Sequence, residues 1–241
     1  MEVVMKTPFG DSWDLLGSPL TSQVMAPLGA LQTLVGSVVR NDVARPGGVG
    51  VIPGQTKFGA LQTTVDFFVQ SDDLAATDMK FRKAFSLWSE SAAPVVVEVD
   101  AGHAMGRFYW DLWLAQPLPV WSVRPDRVDS ETISAQLFNP IGLARSDPMA
   151  GENIVTVTNH GDVTVYPDFV YSGSGGVVET PSGAVFTLPD VEEFTVIKTD
   201  PMNLKIDGVF PEGIPPMSVG QWILPPGVKA VWDIRVINPW S

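Results

Sequence analysis

The strongest constraint on the fold of this chain is a two-residue alternation of side chains over residues 61–70. One set of positions is Leu61, Thr63, Val65, Phe67 and Val69, and the intervening set is Gln62, Thr64, Asp66 and Gln70. Because successive side chains of a β-strand point to opposite faces, this pattern predicts a long strand with one buried face.

One helix is predicted directly after this strand. Asp73 offers a capping oxygen, and Phe81, Phe85 and Trp88 follow at helical spacing. The apolar stripe is one face wide, as in a helix that lies on a sheet. We expect the helix to cover about residues 73–90.

β-structure is expected again after the helix. Residues 95–100 and 107–114 are strand-like and flank a short Gly-bearing turn, so they predict a hairpin. Residues 120–123 and 133–138 predict two shorter strands. A segment rich in Pro, Gly, Asn and Asp follows them.

The second half of the chain is β-rich throughout. Short apolar runs separated by turn residues are typical of a β-sandwich, and they follow a Pro- and Gly-containing break at residues 146–151. The predicted strands cover residues 154–158, 163–171, 184–188, 193–198, 203–206, 221–224 and 229–237. We therefore predict two domains, residues 1–148 and residues 149–241.

Together these patterns predict a mainly β protein. An N-terminal sandwich-like or barrel-like domain with one α-helix precedes a C-terminal β-sandwich. The placement of residues 1–56 stays open, apart from residues 47–54, whose glycines and low apolar content predict an exposed or extended loop.

Composition excludes several classes of protein. The net charge is −12 and the basic residues are scattered singly, which argues against sequence-specific binding of nucleic acid. The absence of cysteine excludes disulfides, thiolate nucleophiles and cysteine-rich zinc sites. The first ten residues lack the pattern of a signal peptide and no apolar run is long enough for a membrane span, so we expect a soluble, unprocessed chain.

The two histidines raise the question of a catalytic or metal site. His160 lies two residues before Asp162, but Asn159 and Gly161 are turn residues between two Val-Thr-Val runs, so this stretch predicts a hairpin loop. His103 lies in the predicted strand turn before residue 107. Two histidines without cysteine argue against a zinc site built from protein ligands alone.

Other candidate motifs also have structural explanations. The Gly-rich stretches at residues 45–48 and 172–176 do not run into a helix with a following Lys-Ser or Lys-Thr, as a phosphate-binding loop would. The adjacent carboxylates at 72–73 and 192–193 suit a helix cap or opposite faces of a strand. We therefore expect no catalytic, cofactor-binding or metal-binding residues, and no enzymatic activity.

Tryptophan is the residue type that most strongly suggests a binding surface. The chain has eight tryptophans, more than one small core readily buries. Core packing is the default for each ring, but some rings can also anchor a subunit interface or stack on a sugar. The candidates are Trp110, Trp113, Trp121, Trp222 and Trp240.

The order of these elements resembles the distal tail protein family of long-tailed bacteriophages, whose members are also described as minor tail proteins. Residues 67–114 resemble the family's strand, helix and hairpin. Residues 155–167, VTVTNHGDVTVYP, are similar to the opening of its second domain, and residues 203–208 with 224–227 are similar to the turn and Leu-x-Pro-Gly before its final strand. Residues 2–45 are less like the family's usual short start.

The resemblance implies a structural virion protein of the siphophage tail tip, assembled in the host cytoplasm. It would form a homohexameric ring that joins the tail tube to the tail tip or baseplate. The N-terminal domains would build the ring, and a galectin-like β-sandwich would lie outside it. The implied partners are further copies of the chain, the tail tube protein, the tape measure protein passing through the ring, and tail-tip or tail-associated proteins.

Two other functions remain open. The tryptophan content and the sandwich-like second half also suit a carbohydrate-binding module that adsorbs to host cell-wall glycan. The scattered carboxylates would suit an acid–base hydrolase, although no spacing in the sequence favours one.

Overall fold

The computed structural model describes residues 1–54, 56–85, 93–102, 106–121, 124–201 and 212–240. Strands account for 47% and helices for 7% of the chain, which confirms the prediction of a mainly β protein. Two compact units are present: Met1–Ala144 with Ile237–Ser241, and Arg145–Val236. His103, Trp88 and the predicted strand at 203–206 lie outside the described residues.

The first unit holds eleven strands and two helices in its described part. The strands are β1 (Glu2–Lys6), β2 (Ser12–Asp14), β3 (Val24–Met25), β4 (Ser37–Arg40), β5 (Val43–Ala44), β6 (Val51–Ile52), β7 (Thr56–Gly59), β8 (Leu61–Gln70), β9 (Val95–Asp100), β10 (Phe108–Leu114) and β11 (Ser130–Asn139). The helices are α1 (Leu28–Leu31) and α2 (Leu74–Ala84).

Seven of these strands form the main sheet of the first unit, in the order β2-β1-β9-β10-β11-β8-β3. The β9–β10 pairing, with Phe108 opposite Val99, confirms the predicted hairpin. The two ends of the sheet approach each other, since the Ala26 N–H just after β3 donates to the Leu15 carbonyl just after β2 at 2.9 Å. The sheet is therefore nearly closed and barrel-like, as predicted.

Helix α2 packs on the long strand β8 by means of aromatic rings. Asp73 accepts a hydrogen bond from the Ala76 N–H at 3.1 Å and caps the helix start, as its sequence position predicts. The buried ring of Phe81 lies 5.2 Å from that of Phe67 on β8 and 5.1 Å from that of Phe85, measured between ring centroids. The apolar stripe of the helix therefore joins the core of the barrel-like sheet.

The second unit is a β-sandwich. Its strands are β13 (Met149–Glu152), β14 (Ile154–Asn159), β15 (Asp168–Gly173), β16 (Gly176–Glu179), β17 (Val185–Leu188), β18 (Val191–Ile197), β19 (Ser218–Ile223), β20 (Lys229–Trp232) and β21 (Arg235–Val236), preceded by β12 (Ala144–Ser146) where the chain passes between units. One sheet has the order β13-β20-β15-β18 and the other β14-β19-β16-β17. Phe169, Trp222 and their apolar neighbours from both sheets form a single core, which confirms the predicted sandwich.

The predicted hairpin around His160 is wrong. Strand β14 pairs antiparallel with β19, with Val155 opposite Trp222, and the chain then forms a loop in which Val165 makes one bridge with Ile214. The strand predicted at 163–171 consequently begins only at Asp168. The physical reason is that a nonlocal partner supplies the backbone hydrogen bonds that the local hairpin would have supplied.

The structure differs from the prediction at three further segments. The predicted strand at 229–237 is divided into β20 and β21. Helix α2 covers Leu74–Ala84 with Phe85 as its C-cap, and residues 86–90 of the predicted helix lie outside the described residues. Of the predicted strand at 120–123, Val120 and Trp121 belong to a loop, and residues 122–123 lie outside the described residues. Within the described residues, no helix has the length and apolar character needed to cross a membrane.

Candidate functional site

The most conspicuous exposed element is a long hairpin, residues 37–54 and 56–59, which we call the arm. At its base β4 pairs with β7, and towards its tip β5 pairs with β6. Every residue from 37 to 53 is exposed. The sequence predicts an exposed or extended loop at residues 47–54. Residues 47–53 are indeed exposed, and 47–54 form the tip and one flank of a paired hairpin.

The arm presents apolar side chains to solvent along its whole length. Exposed fractions run from 49% to 97%, for Val38, Val39, Val43, Val49, Val51 and Ile52. An isolated two-stranded hairpin is at best marginally stable in water, and exposed apolar clusters mark surfaces that another molecule covers. The arm is therefore an element whose apolar side chains lack a covering layer.

The base of the arm is fixed by close backbone packing. Gly142 has φ = +68°, and a Cβ atom at this position would lie 1.8 Å from the Gly59 carbonyl oxygen. The buried Asn139 side chain shapes the same turn, because its Oδ1 accepts from the N–H groups of Ile141 at 2.9 Å and Gly142 at 2.6 Å. Only glycine fits at position 142, so the arm leaves the barrel-like sheet from a defined point.

One of the three basic side chains on the arm has a carboxylate partner, and the other two do not within the described residues. Arg40 makes a bidentate ion pair with Asp42, with nitrogen–oxygen distances of 2.6 and 2.8 Å. The hydrogen bond from Arg40, together with one from the Gly54 N–H, lowers the pKa of Asp42. Arg45 and Lys57 are exposed, and within the described residues neither has a carboxylate at ion-pair distance.

The five candidate tryptophans lie in very different environments. Trp110 and Trp222 are 0% and 1% exposed and fill the cores of the first and second unit, so their rings can neither stack on a sugar nor contact a subunit. Trp113 is half-buried on β10. Trp240 is also half-buried, and its Nε1–H donates to the Leu34 carbonyl at 3.2 Å.

Trp121 is the candidate ring with a substantial exposed surface, 56%. Its Nε1–H donates to the fully buried Asp78 carboxylate on α2 at 2.5 Å. Arg82 also binds Asp78, lies 5.6 Å from the centroid of the Trp121 ring and donates to the Pro119 carbonyl. The loop from Pro119 to Trp121 is thus fixed on the helix, with Val120 held 90% exposed beside the ring.

The stretch around His160 is a structural loop. Asn159 is fully buried, and its Nδ2 donates to the carbonyls of Val163 and Ile214 at 2.8 Å while its Oδ1 accepts from the Gly161 N–H at 2.9 Å. His160 and Asp162 are exposed. Within the described residues, no group of three or more His, Cys, Asp or Glu side chains is placed to hold a metal ion.

The apolar strands of the arm are the candidate functional residues that sequence reasoning missed. Short β-branched runs, Val38-Val39 and Val51-Ile52, flank the Gly-rich tip on both sides, and this symmetry is the signal that indicates a hairpin. Residues 47–54 have too little apolar content to predict a packed strand, and none of them is buried.

Comparison with known proteins gives a likeness of fold. No protein-family model and no curated protein matches the chain. A chain of the phage P2 baseplate in its activated conformation with calcium has 12% identity and a TM-score of 0.58, over 100% of this chain and 99% of that one. The SPP1 Dit protein, described as a paradigm of the hub adsorption apparatus in phages that infect Gram-positive bacteria, has 12% identity and a TM-score of 0.54, over 97% and 98%. A chain of the p2 baseplate with strontium has 12% identity and a TM-score of 0.57, over 96% and 97%.

Proposed function

We propose that this protein is a structural component of a bacteriophage tail, a distal tail subunit that forms a hexameric ring joining the tail tube to the tail tip or baseplate. The observation that carries the proposal is the likeness of both units, in one chain and over nearly its whole length, to proteins of phage baseplates and hubs. Folds can host unrelated functions, so the arm supplies the second, independent support.

The arm supports an assembly role because its exposed apolar side chains suit burial against another protein. Its apolar side chains would remain in water in a monomer, whereas a neighbouring subunit would bury them. A hairpin that reaches from one subunit onto the next makes a heterologous contact, and repetition of such a contact closes a ring when the rotation between subunits fits.

The remaining parts of the proposal are those that the resemblance to distal tail proteins implies. The first unit would build the ring, and the sandwich of the second unit would lie outside it, where tail-tip or tail-associated proteins or a host glycan can bind. The tail tube protein would stack on the ring, and the tape measure protein would pass through it. The net charge of −12 suits a ring whose opening must let DNA pass without binding it.

The proposal is tested by the oligomeric state of the full chain and of an arm-shortened variant. In the variant, Asn-Gly replaces residues 41–55, which joins Arg40 to its cross-strand partner Thr56 through a two-residue turn. We expect light scattering and electron microscopy to show a ring for the natural chain, and a monomer with an unchanged circular dichroism spectrum for the variant.

A control variant carries Val185→Ser, which changes an exposed apolar residue of the second unit and should assemble as the natural chain does. A natural chain that stays monomeric at all concentrations, and that does not enter tails when supplied with tail tube protein, would refute the proposed function.

A further inference from the structure

The arm differs in charge from the rest of the chain. It contains Arg40, Arg45 and Lys57 against a single carboxylate, Asp42, and so carries a net charge of +2. Since the whole chain carries −12, everything outside the arm carries −14. The arm, whose apolar side chains are uncovered, is therefore also a basic segment of an acidic protein.

Two of these three cations are free to bind a partner. Arg40 is occupied by Asp42, but Arg45 and Lys57 are exposed and have no carboxylate at ion-pair distance within the described chain. Each lies beside apolar surface: Lys57 is directly opposite Val39 across the β4–β7 pair, and Arg45 begins the tip that holds Val49, 97% exposed. The arm thus combines free cations with aliphatic side chains over both strands.

We infer that the arm docks on an acidic surface of a second copy of this chain, with Arg45 and Lys57 opposite carboxylates and the valines covered between them. This inference rests on the proposed function and names the recognition chemistry of its interface. A contact between two arms, or between the acidic remainders of two chains, would bring like charges together. A contact between the arm of one chain and the remainder of another instead brings a net charge of +2 against a net charge of −14. Each subunit can then give one arm and receive one.

The chemistry of the arm disfavours nucleic acid as its occupant. Two free cations would neutralise very few phosphates, and the remaining −14 of the chain would repel the DNA backbone. The valines would also gain little against phosphates, but they are well suited to the mixed polar and apolar surface of a protein neighbour.

The test uses the full chain and the double variant Arg45→Glu/Lys57→Glu. The matched control is Lys80→Glu/Arg127→Glu, which makes the same charge change at two exposed positions outside the arm. Assembly is measured by sedimentation velocity at about 0.05 M and about 0.5 M NaCl, a range over which screening of exposed charges increases strongly. Binding of a short DNA duplex is measured in parallel.

We expect the natural chain to assemble more weakly at the higher salt concentration, and the arm variant to assemble at least about tenfold more weakly than the control at low salt. Equal weakening in both variants, or salt-independent assembly of the arm variant at the natural level, would overturn the inference while leaving the ring intact. Salt-sensitive DNA binding that only the arm variant loses, with assembly unchanged, would also overturn it. A natural chain that never assembles would instead refute the proposed function.

Discussion

Single buried asparagines determine the course of two loops in this protein. Asn139 and Asn159 each end a strand, and each side chain accepts from the N–H two residues further on while donating to a distant carbonyl. Asn159 is followed by Gly161, where a Cβ atom would lie 2.5 Å from the Arg235 carbonyl oxygen. The stretch that holds His160 is therefore a loop shaped by its neighbours, and the exposed histidine takes no part in it.

Substitution of Asn159 by alanine should destabilise the second unit. The change removes three hydrogen bonds and leaves buried backbone groups without partners, so we expect a loss of about 3 kcal/mol in the free energy of unfolding. His160→Ala is the control and should stay within about 0.5 kcal/mol. Urea denaturation measures both; equal effects of the two substitutions would contradict the structural role of Asn159.

Asp168 should make stability depend on pH. Burial raises the pKa of this half-buried carboxyl, and this outweighs the opposing effects of Lys198 and the Thr199 N–H. The folded protein therefore holds this proton to higher pH than the unfolded chain does. The resulting stabilisation is fully present below the unfolded pKa of about 3.9 and is lost as pH rises through the folded pKa.

Asp168→Asn, which keeps the neutral form at every pH, should therefore stabilise the protein at pH 7. We expect a gain of up to about 1 kcal/mol, reduced by solvent screening, that vanishes near about pH 3.5. Thermal unfolding at both pH values measures it, with the exposed Asp147→Asn in the same unit as control. Stabilisation that grows towards low pH would contradict the assigned direction.

At the scale of elements, the loop after β10 is held on helix α2 by a buried charge. Asp78 is fully buried and receives hydrogen bonds from Arg82 and from the Trp121 indole. Arg82 also approaches the buried Glu131 carboxylate on β11 to 3.8 Å. A buried carboxylate is tolerated only when it is well partnered, so loop, helix and strand depend on one another here.

Trp121→Phe should separate the hydrogen bond from the ring contact. Phenylalanine keeps an aromatic face for Arg82 but cannot donate to Asp78, so we expect a loss of about 1–2 kcal/mol in the free energy of unfolding. Val120→Ala, at the neighbouring exposed position, should have almost no effect. If the two variants are equally stable, the indole–carboxylate bond does not hold the loop.

At the scale of the whole molecule, each unit has its own core with a fully buried tryptophan, Trp110 in the first and Trp222 in the second. Neither Nε1 atom has a hydrogen-bond partner within the described residues. Both rings therefore act as large apolar side chains that fill volume. The prediction of two domains, with a boundary at residue 148, can be tested by substituting these two tryptophans.

Trp110→Phe and Trp222→Phe should each destabilise one unit. Each change removes volume without breaking a hydrogen bond, so we expect about 1–2 kcal/mol for each. Calorimetry of the full chain should show Trp110→Phe lowering one transition and Trp222→Phe lowering the other. A single transition that both substitutions shift equally would show that the units unfold together.

The sequence by itself determined the long strand, the main helix and most strands of the second half, because side-chain alternation and capping residues are local signals. Leu61–Gln70 and the start of α2 at Asp73 were predicted in this way. The sandwich class of the second half followed from the same local signals, repeated at short intervals.

Only the tertiary structure decided which strands pair and which rings are covered. Backbone hydrogen bonds carry no side-chain signature, so residues 154–159 could pair with distant β19 instead of the nearby run at 163–165. Trp110 and Trp121 lie in similar apolar surroundings in the sequence, yet one is 0% and the other 56% exposed. The arm is a further example. The sequence around its valines does not indicate whether they are buried, because burial depends on what the rest of the chain places beside them.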